Sequence, residues 1–121
     1  MSTSNPLIAL LLRVIDQAYD QKSWHGTTLR GSLRGLTAEE ALWRPGRGRH
    51  NIWELALHAA YWKYAVRRRL AGEEIGTFER KPSNWPEIPA PSDARAWKRD
   101  VAFLDAEHRK LRAVIADLTP A

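Results

Sequence analysis

The sequence predicts an all-α protein, an up-down bundle of three long helices with a long Pro-rich connection before the third. Apolar residues recur every three or four positions in three segments, the spacing that puts side chains on one face of a helix. Capping residues and glycines stand at the ends of these segments, where helices begin and stop. The 121 residues fit a single domain, residues 1–121, with a core large enough to need no disulfide.

The first long helix is predicted over residues 6–34, and Pro6 suits its first turn. Gly26 and Gly31 weaken the second half by roughly 1 kcal/mol each relative to alanine. They mark either close packing or a kink that splits the helix. Gly35 is a typical stop signal.

Two capping boxes predict where the next helices begin. Thr37 with Glu40 starts a short helical turn, and Asn51 with Glu54 starts the second long helix, which runs to about Ala71. One apolar stripe of that helix is expected to face the core. Its members are Ile52, Leu55, Ala59, Trp62, Val66 and Leu70.

A connection rich in proline, residues 73–91, is expected to wrap one side of the bundle, anchored by Phe78 and Trp85. Ser92 is predicted to cap the third long helix, which runs to about Leu118. Its apolar positions alternate four and three residues apart, a heptad seam. A seam this regular favours a further partner, either a fourth helix or a symmetric copy of the chain.

The amino-acid composition excludes several classes of function and cellular location. The absence of cysteine excludes disulfides, thiolate ligands and a cysteine nucleophile. No apolar run is long enough to span a bilayer and no secretory signal is recognisable, so we expect a cytoplasmic protein with no membrane partner. The net charge of +5 mixes 19 basic with 14 acidic residues, which is ordinary for solubility. We therefore do not expect nucleic acid as a partner. The alternative is that the arginines of residues 44–49 and 67–69 bind the phosphates of a nucleic acid.

Three of the four histidines lie on apolar helix stripes: His25, His58 and His108. If consecutive long helices are antiparallel, a rise of about 1.5 Å per residue places all three within about one helical turn of the same depth. Three converging imidazoles suit a divalent metal such as Zn, Ni, Mn or Fe. The alternative is that each is a core histidine bonded to an ordinary polar neighbour.

Further residues are candidates around this site. Glu54 precedes His58 by one turn and has two alternative roles, orienting the imidazole or closing the capping box. Trp24 and Trp62 are expected either to line a substrate pocket beside the histidines or to belong to the core.

Several short motifs resemble the DinB/YfiT-like superfamily of metalloenzymes. The residues that carry the resemblance are Ser23-Trp24-His25-Gly26, Gly35-Leu36-Thr37, Ala41, Arg44-Pro45 and, most specifically, Ile52-Trp53-Glu54-Leu55-x-Leu57-His58-x-Ala60-x-Trp62. The resemblance implies a four-helix bundle, often dimeric, with a metal bound by three histidines. It also implies a metal-dependent transferase acting on a small thiol-type substrate, or a hydrolase.

The resemblance maps one metal ligand of the family onto His58. The other two normally lie in a His-x-x-x-His motif on a fourth helix, and this sequence has neither the motif nor a fourth helix after Pro120. His58 would then need His25 and His108, or a partner chain, to hold a metal. The alternative hypothesis is a non-catalytic helical module that forms a homodimer through the exposed face of its third helix and whose histidines are structural.

Overall fold

The computed structural model describes residues 5–22, 26–72 and 77–119. All regular secondary structure in these ranges is helical, which confirms the predicted all-α bundle. The helices are α1 (Pro6–Tyr19), α2 (Leu29–Ser32), α3 (Ala38–Leu42), α4 (Ile52–Leu70) and α5 (Ala94–Ala116). Within the described part of the chain, no helix is both long and apolar enough to cross a membrane.

The first long helix is shorter than predicted. The side chain of Asn5 caps its start, and the helix ends at Tyr19. A separate one-turn helix, α2, begins later behind Thr28, whose side chain accepts a hydrogen bond from a backbone amide. The prediction of one helix over residues 6–34 is therefore wrong, and the alternative of a split segment is correct. Gly26, six residues beyond the Asp20 C-cap of α1, has a φ of +77°, which no residue inside a right-handed helix adopts.

Both predicted capping boxes are present. The Thr37 side chain and Glu40 exchange hydrogen bonds with each other's backbone amides at the start of α3. Asn51 and Glu54 do the same at the start of α4. The capping boxes are predictable from the sequence because the hydrogen bonds that define them join residues three positions apart.

The third long helix begins one residue later than predicted. Asp93, not Ser92, is its N-cap, since a carboxylate oxygen of Asp93 accepts from the Ala96 amide at 2.9 Å. The Ser92 hydroxyl instead donates to the carbonyl oxygen of Pro89 at 2.6 Å and closes the end of the connection.

Helices α4 and α5 are parallel. Near the start of both, the Trp53 indole donates to Asp100 at 2.9 Å. About ten residues further along both, Lys63 lies against His108. The predicted antiparallel order of these two helices is therefore wrong. The connection over residues 71–93 is long enough to return the chain to the end where α4 began.

Helix α1 runs antiparallel to α5. The ring of Tyr19, at the end of α1, stacks on the ring of His108. Ile8, near the start of α1, packs with Ile115, two turns further along α5. The three long helices therefore form a bundle in which α1 alone opposes the other two.

The core face of α4 differs from the predicted stripe. Its buried side chains are Trp53, Ala56, Leu57, Ala60 and Ala65. Four predicted core residues are instead 41–49% exposed: Leu55, Trp62, Val66 and Leu70. The buried face is rotated from the predicted stripe and combines the large Trp53 and Leu57 with small alanines.

The Pro-rich connection is anchored by its aromatic residues, as predicted. Phe78 is 4% exposed and lies in the main hydrophobic core. Trp85 is sandwiched between the rings of His50 and His58, with centroid distances of 3.6 and 3.8 Å. Arg80 forms an ion pair with the fully buried Asp100 of α5. Three separate contacts thus hold this segment against α4 and α5.

Candidate metal centre

His108 lies where α1, α4 and α5 meet and is only 3% exposed. Its Nδ1 is 3.1 Å from the Lys63 ammonium, and its Nε2 is 3.2 Å from a carboxylate oxygen of Asp16. An ammonium group can only donate, so Nδ1 accepts and Nε2–H donates to Asp16. The Tyr19 ring stacks on the imidazole at 4.1 Å and fixes its plane.

Burial controls the charge states around His108. Burial lowers the pKa of His108 below its usual value, the Lys63 ammonium lowers that pKa further, and Asp16 opposes both effects. Burial also lowers the pKa of Lys63. Burial and a hydrogen bond to Asp105 raise the pKa of Tyr19. At neutral pH the imidazole is therefore neutral and the phenol keeps its proton.

Asp16, Asp20 and His108 form a cluster of metal-ligand type. One carboxylate oxygen from each aspartate and one imidazole nitrogen all lie within 4.8 Å of one another. The aspartates are four residues apart at the end of α1, so both project toward the same side. Two carboxylates and one imidazole form a donor set that suits Mn, Fe or Zn.

Two cations of the chain already contact this cluster. Nε of Arg112 lies 2.9 and 2.8 Å from the two carboxylate oxygens of Asp16. The ammonium of Lys63 lies on the other side of His108 and 4.6 Å from the centroid of the Tyr19 ring. A divalent cation entering the cluster would compete with both positive charges.

An open groove with a volume of about 880 Å³ borders the cluster. Tyr19, Asp20 and His108 lie in its wall, and the rest of its lining comes from Arg30 of α2, residues 33–38 and one side of α5. This volume falls in the range of small-molecule sites in proteins. The cluster is therefore accessible to a small ligand although His108 itself is buried.

The chain matches the family model of the DinB superfamily over residues 21–121. It belongs to the DinB superfamily. This match confirms the resemblance found in the sequence around His58. No curated protein and no solved structure matches the chain. The matched range takes in His58, Lys63 and His108 and begins just after Asp20, so the aspartates of the cluster lie upstream of it.

The predicted DinB ligand His58 lies away from this cluster. Its Nδ1 donates to the carbonyl oxygen of Asn84 at 2.7 Å, and its ring stacks on Trp85. The indole of Trp62 donates to the Asn84 side chain at 3.0 Å and meets the His58 ring edge-on. His58 and Trp62 thus hold the Pro-rich connection against α4, and Trp62 does not line the groove.

The parallel order of α4 and α5 explains this separation. On α4, the residue level with His108 is Lys63, which is five residues beyond His58, or about 7.5 Å along the axis. The expected common depth of His58 and His108 rested on antiparallel helices. The other predicted members of the site, Trp24 and His25, lie outside the described residues.

Glu54 closes the capping box of α4 and pairs with Arg44. Its two carboxylate oxygens lie 2.7 and 2.9 Å from the Arg44 guanidinium, and one lies 3.3 Å from Nδ1 of His50. The ion pair with Arg44 is the main reason that the pKa of Glu54 falls to about 2. Of the two roles considered for Glu54, capping is the one that these contacts support.

Asp16 and Asp20 were not predicted as site residues from the sequence. Their spacing of four residues near the end of an amphipathic helix was a usable signal, because it places two carboxylates on one face. No local pattern links them to His108, which is 92 residues from Asp16 along the chain. Only the packing of α1 against α5 brings them together.

Proposed function

We propose that this DinB-superfamily chain binds a divalent cation through Asp16, Asp20 and His108. The observation that carries the proposal is the distance of 4.8 Å or less between the three donor atoms beside an open groove. A small inward movement of the three side chains would let all three donor atoms reach one central ion at the usual metal–ligand distances of about 2.0–2.2 Å.

The chemistry of the three donors fits a divalent cation. The aspartates supply negative charge, and the neutral imidazole of His108 would bind a cation through Nε2 once the proton on that nitrogen has left. Lys63 and Arg112 provide positive charge at the same place, so the cation must displace or outweigh them. We therefore expect an affinity weaker than that of a structural zinc site.

We infer that the activity is that of a metal-dependent transferase or hydrolase acting on a small, thiol-type or similar molecule. A bound Zn, Ni, Mn or Fe ion would lower the pKa of a water or thiol and supply a nucleophile at neutral pH. The groove admits the substrate next to His108, and the stacked Tyr19 ring holds the imidazole in place.

Metal titration of the tag-free, metal-stripped protein tests the proposal. Calorimetry with Mn, Fe, Ni and Zn should show one ion per chain, and Asp20→Asn should weaken that binding at least about tenfold. Glu87→Gln is the matched control, because Glu87 is an exposed carboxylate outside the cluster. Binding of less than a tenth of an ion per chain to the unaltered protein (an order-of-magnitude threshold) would contradict the proposal.

A second variant separates this centre from one built on His58. His58→Ala should leave cation binding unchanged if Asp16, Asp20 and His108 hold the ion. If His58→Ala abolishes binding while Asp20→Asn does not, the three-histidine centre with His25 and His108 is the correct one.

The second candidate function is a non-catalytic helical module that forms a homodimer. The α5 seam that was expected to form this contact is buried within the chain, at Trp97, Leu104, Leu111 and Ile115. The exposed apolar stripe of α4 supports the candidate instead: Leu55, Trp62, Val66 and Leu70 are spaced as in a helix–helix seam and span about 22 Å. A second copy could pack the same stripe against it around a two-fold axis. Light scattering should then give a dimer mass that Val66→Gln with Leu70→Gln reduces to a monomer. A monomer at about 0.5 mM, well above common dissociation constants, would contradict this candidate.

A further inference from the structure

We infer that the groove beside the cluster takes an anionic small molecule with an apolar body. The inference rests on the proposed function, because Asp20 and His108 lie in the wall of the same groove. It adds the chemical class of the ligand to the proposed cation centre.

The middle of the groove is apolar. Leu33 and Trp97 contribute buried side chains, and Val101 is half-buried between them and the cluster. The Trp97 indole donates to the Leu36 carbonyl at 3.1 Å and its ring packs on Trp53 in the core, so its polar atom is satisfied and only a small part of the side chain reaches the groove. A flat apolar group of a ligand would therefore bury apolar surface here without leaving a polar atom of the protein without a hydrogen bond.

The rim of the groove is basic. Arg34, Lys98 and Arg109 line it, all three are exposed, and none has a side-chain partner among the described residues. Arg30 also lines the groove, but it is 3.0 Å from Asp105 and therefore neutralised. The unpaired charges of the rim are thus positive, and they complement a carboxylate or a phosphate.

The two ends of the groove differ in charge. Lys98 is ten residues before His108 on α5, so it lies about 15 Å from the cluster along the helix axis. At the cluster end the negative charge of Asp20 offsets the positive charge of Arg109, which follows His108 in the chain. A ligand would therefore place its anionic group toward Lys98 and Arg34 and its reactive group toward His108.

The charge pattern favours a small ligand over a polyanion. Asp20 and Asp105 both line the groove, and a nucleic-acid strand running along it would pass both carboxylates. The length available along α5, from Ala94 to Arg109, is about 22 Å. This fits a molecule with one anionic group rather than a continuous backbone of phosphates.

The test is an NMR titration of the metal-stripped protein with 2-naphthoate, 2-naphthyl phosphate and the neutral 2-naphthylmethanol. We expect shift changes at Trp97 and Val101 with both anions, and at least about fivefold weaker binding of the alcohol. The two anions separate carboxylate from phosphate recognition. Arg34→Gln with Lys98→Gln should weaken anion binding roughly five- to tenfold and leave binding of the alcohol unchanged.

Two controls make the outcome specific. Arg47→Gln with Arg69→Gln removes the same net charge from exposed positions outside the groove and should have no effect. Asp16→Asn should weaken cation binding but leave anion selectivity unchanged, because Asp16 belongs to the cluster and does not line the groove. Failure of the cation centre and failure of the groove are therefore distinguishable. Equal affinity for the anions and the alcohol would overturn the inference. So would tighter binding of a short single-stranded oligonucleotide at the same residues.

Discussion

Nζ of Lys63 lies 3.1 Å from Nδ1 of His108, at the meeting point of three helices. An ammonium group in this position is unusual beside a candidate metal ligand, because the second nitrogen of a metal-bound histidine usually donates to an acceptor. Lys63 instead donates to it. The pair therefore stabilises the metal-free protein and opposes a cation at Nε2.

Replacing Lys63 by methionine should raise the affinity for a divalent cation. The change keeps most of the apolar stem and removes one positive charge, and we expect about tenfold tighter binding of Mn or Zn. Calorimetry at low salt measures it. Lys110→Met is the control, because Lys110 is exposed and pairs only with Glu107. Unchanged or weaker binding by the Lys63 variant would argue against the centre at His108.

Asp100→Asn should destabilise the fold by about 2–4 kcal/mol. Asp100 is fully buried and accepts hydrogen bonds from Trp53 at 2.9 Å and from Arg80 at 3.3 Å. The amide would leave the Arg80 guanidinium without a counter-charge in a site that is mostly closed to water. Urea unfolding gives the free energy, and the exposed Asp117→Asn should change it by less than about 0.5 kcal/mol.

Trp85→Ala should release the Pro-rich connection from α4. The variant removes the stacks on His50 and His58 together, and we expect a loss of about 1–2 kcal/mol. Limited proteolysis should show faster cleavage within residues 77–91. Trp43→Ala is the control, because it makes the same substitution at a side chain that is 66% exposed. It should change neither the stability nor the rate of cleavage.

Glu54→Gln should lower stability by about 1 kcal/mol and flatten its dependence on acid pH. The pKa of Glu54 falls from 4.5 to about 2 on folding, chiefly because of Arg44. A lowered carboxyl pKa adds stability that is complete above pH 4.5 and is lost as the pH falls toward 2. Urea unfolding between pH 6 and pH 2 should show this loss in the unaltered protein and much less of it in the variant.

The second capping box supplies the control for Glu54. Glu40 caps α3 in the same way but has no arginine partner among the described residues. Glu40→Gln should therefore cost less stability than Glu54→Gln. Equal costs for the two variants would show that Arg44 adds nothing to the cap.

Local signals made much of the fold predictable. Asn51 with Glu54 fixed the start of α4, and Gly72, with φ of +74°, follows its end. The orientation of α5 was not predictable in this way, because it depends on where a connection of about 20 residues takes the chain. The same limit applies to the core face of α4, since packing selected Ala56 and Ala60 over larger residues.

The site was predicted only in part. His108 was recognisable because a polar residue interrupts an otherwise apolar seam. Its partners Asp16 and Lys63 lie 92 and 45 residues away along the chain, and charged residues on a helix usually face solvent. Asp16 and Lys63 meet His108 only because of the tertiary packing, and no local sequence pattern around either residue indicates this contact.

The shared direction of α4 and α5 has an electrostatic consequence. Their peptide dipoles add, and α1 alone opposes them, so the end of the bundle near Asn51 and Asp93 carries an excess of positive potential. The groove opens toward that end at Ala94. The backbone itself would thus draw negatively charged molecules to the same mouth as the rim side chains do, and added salt would slow their arrival.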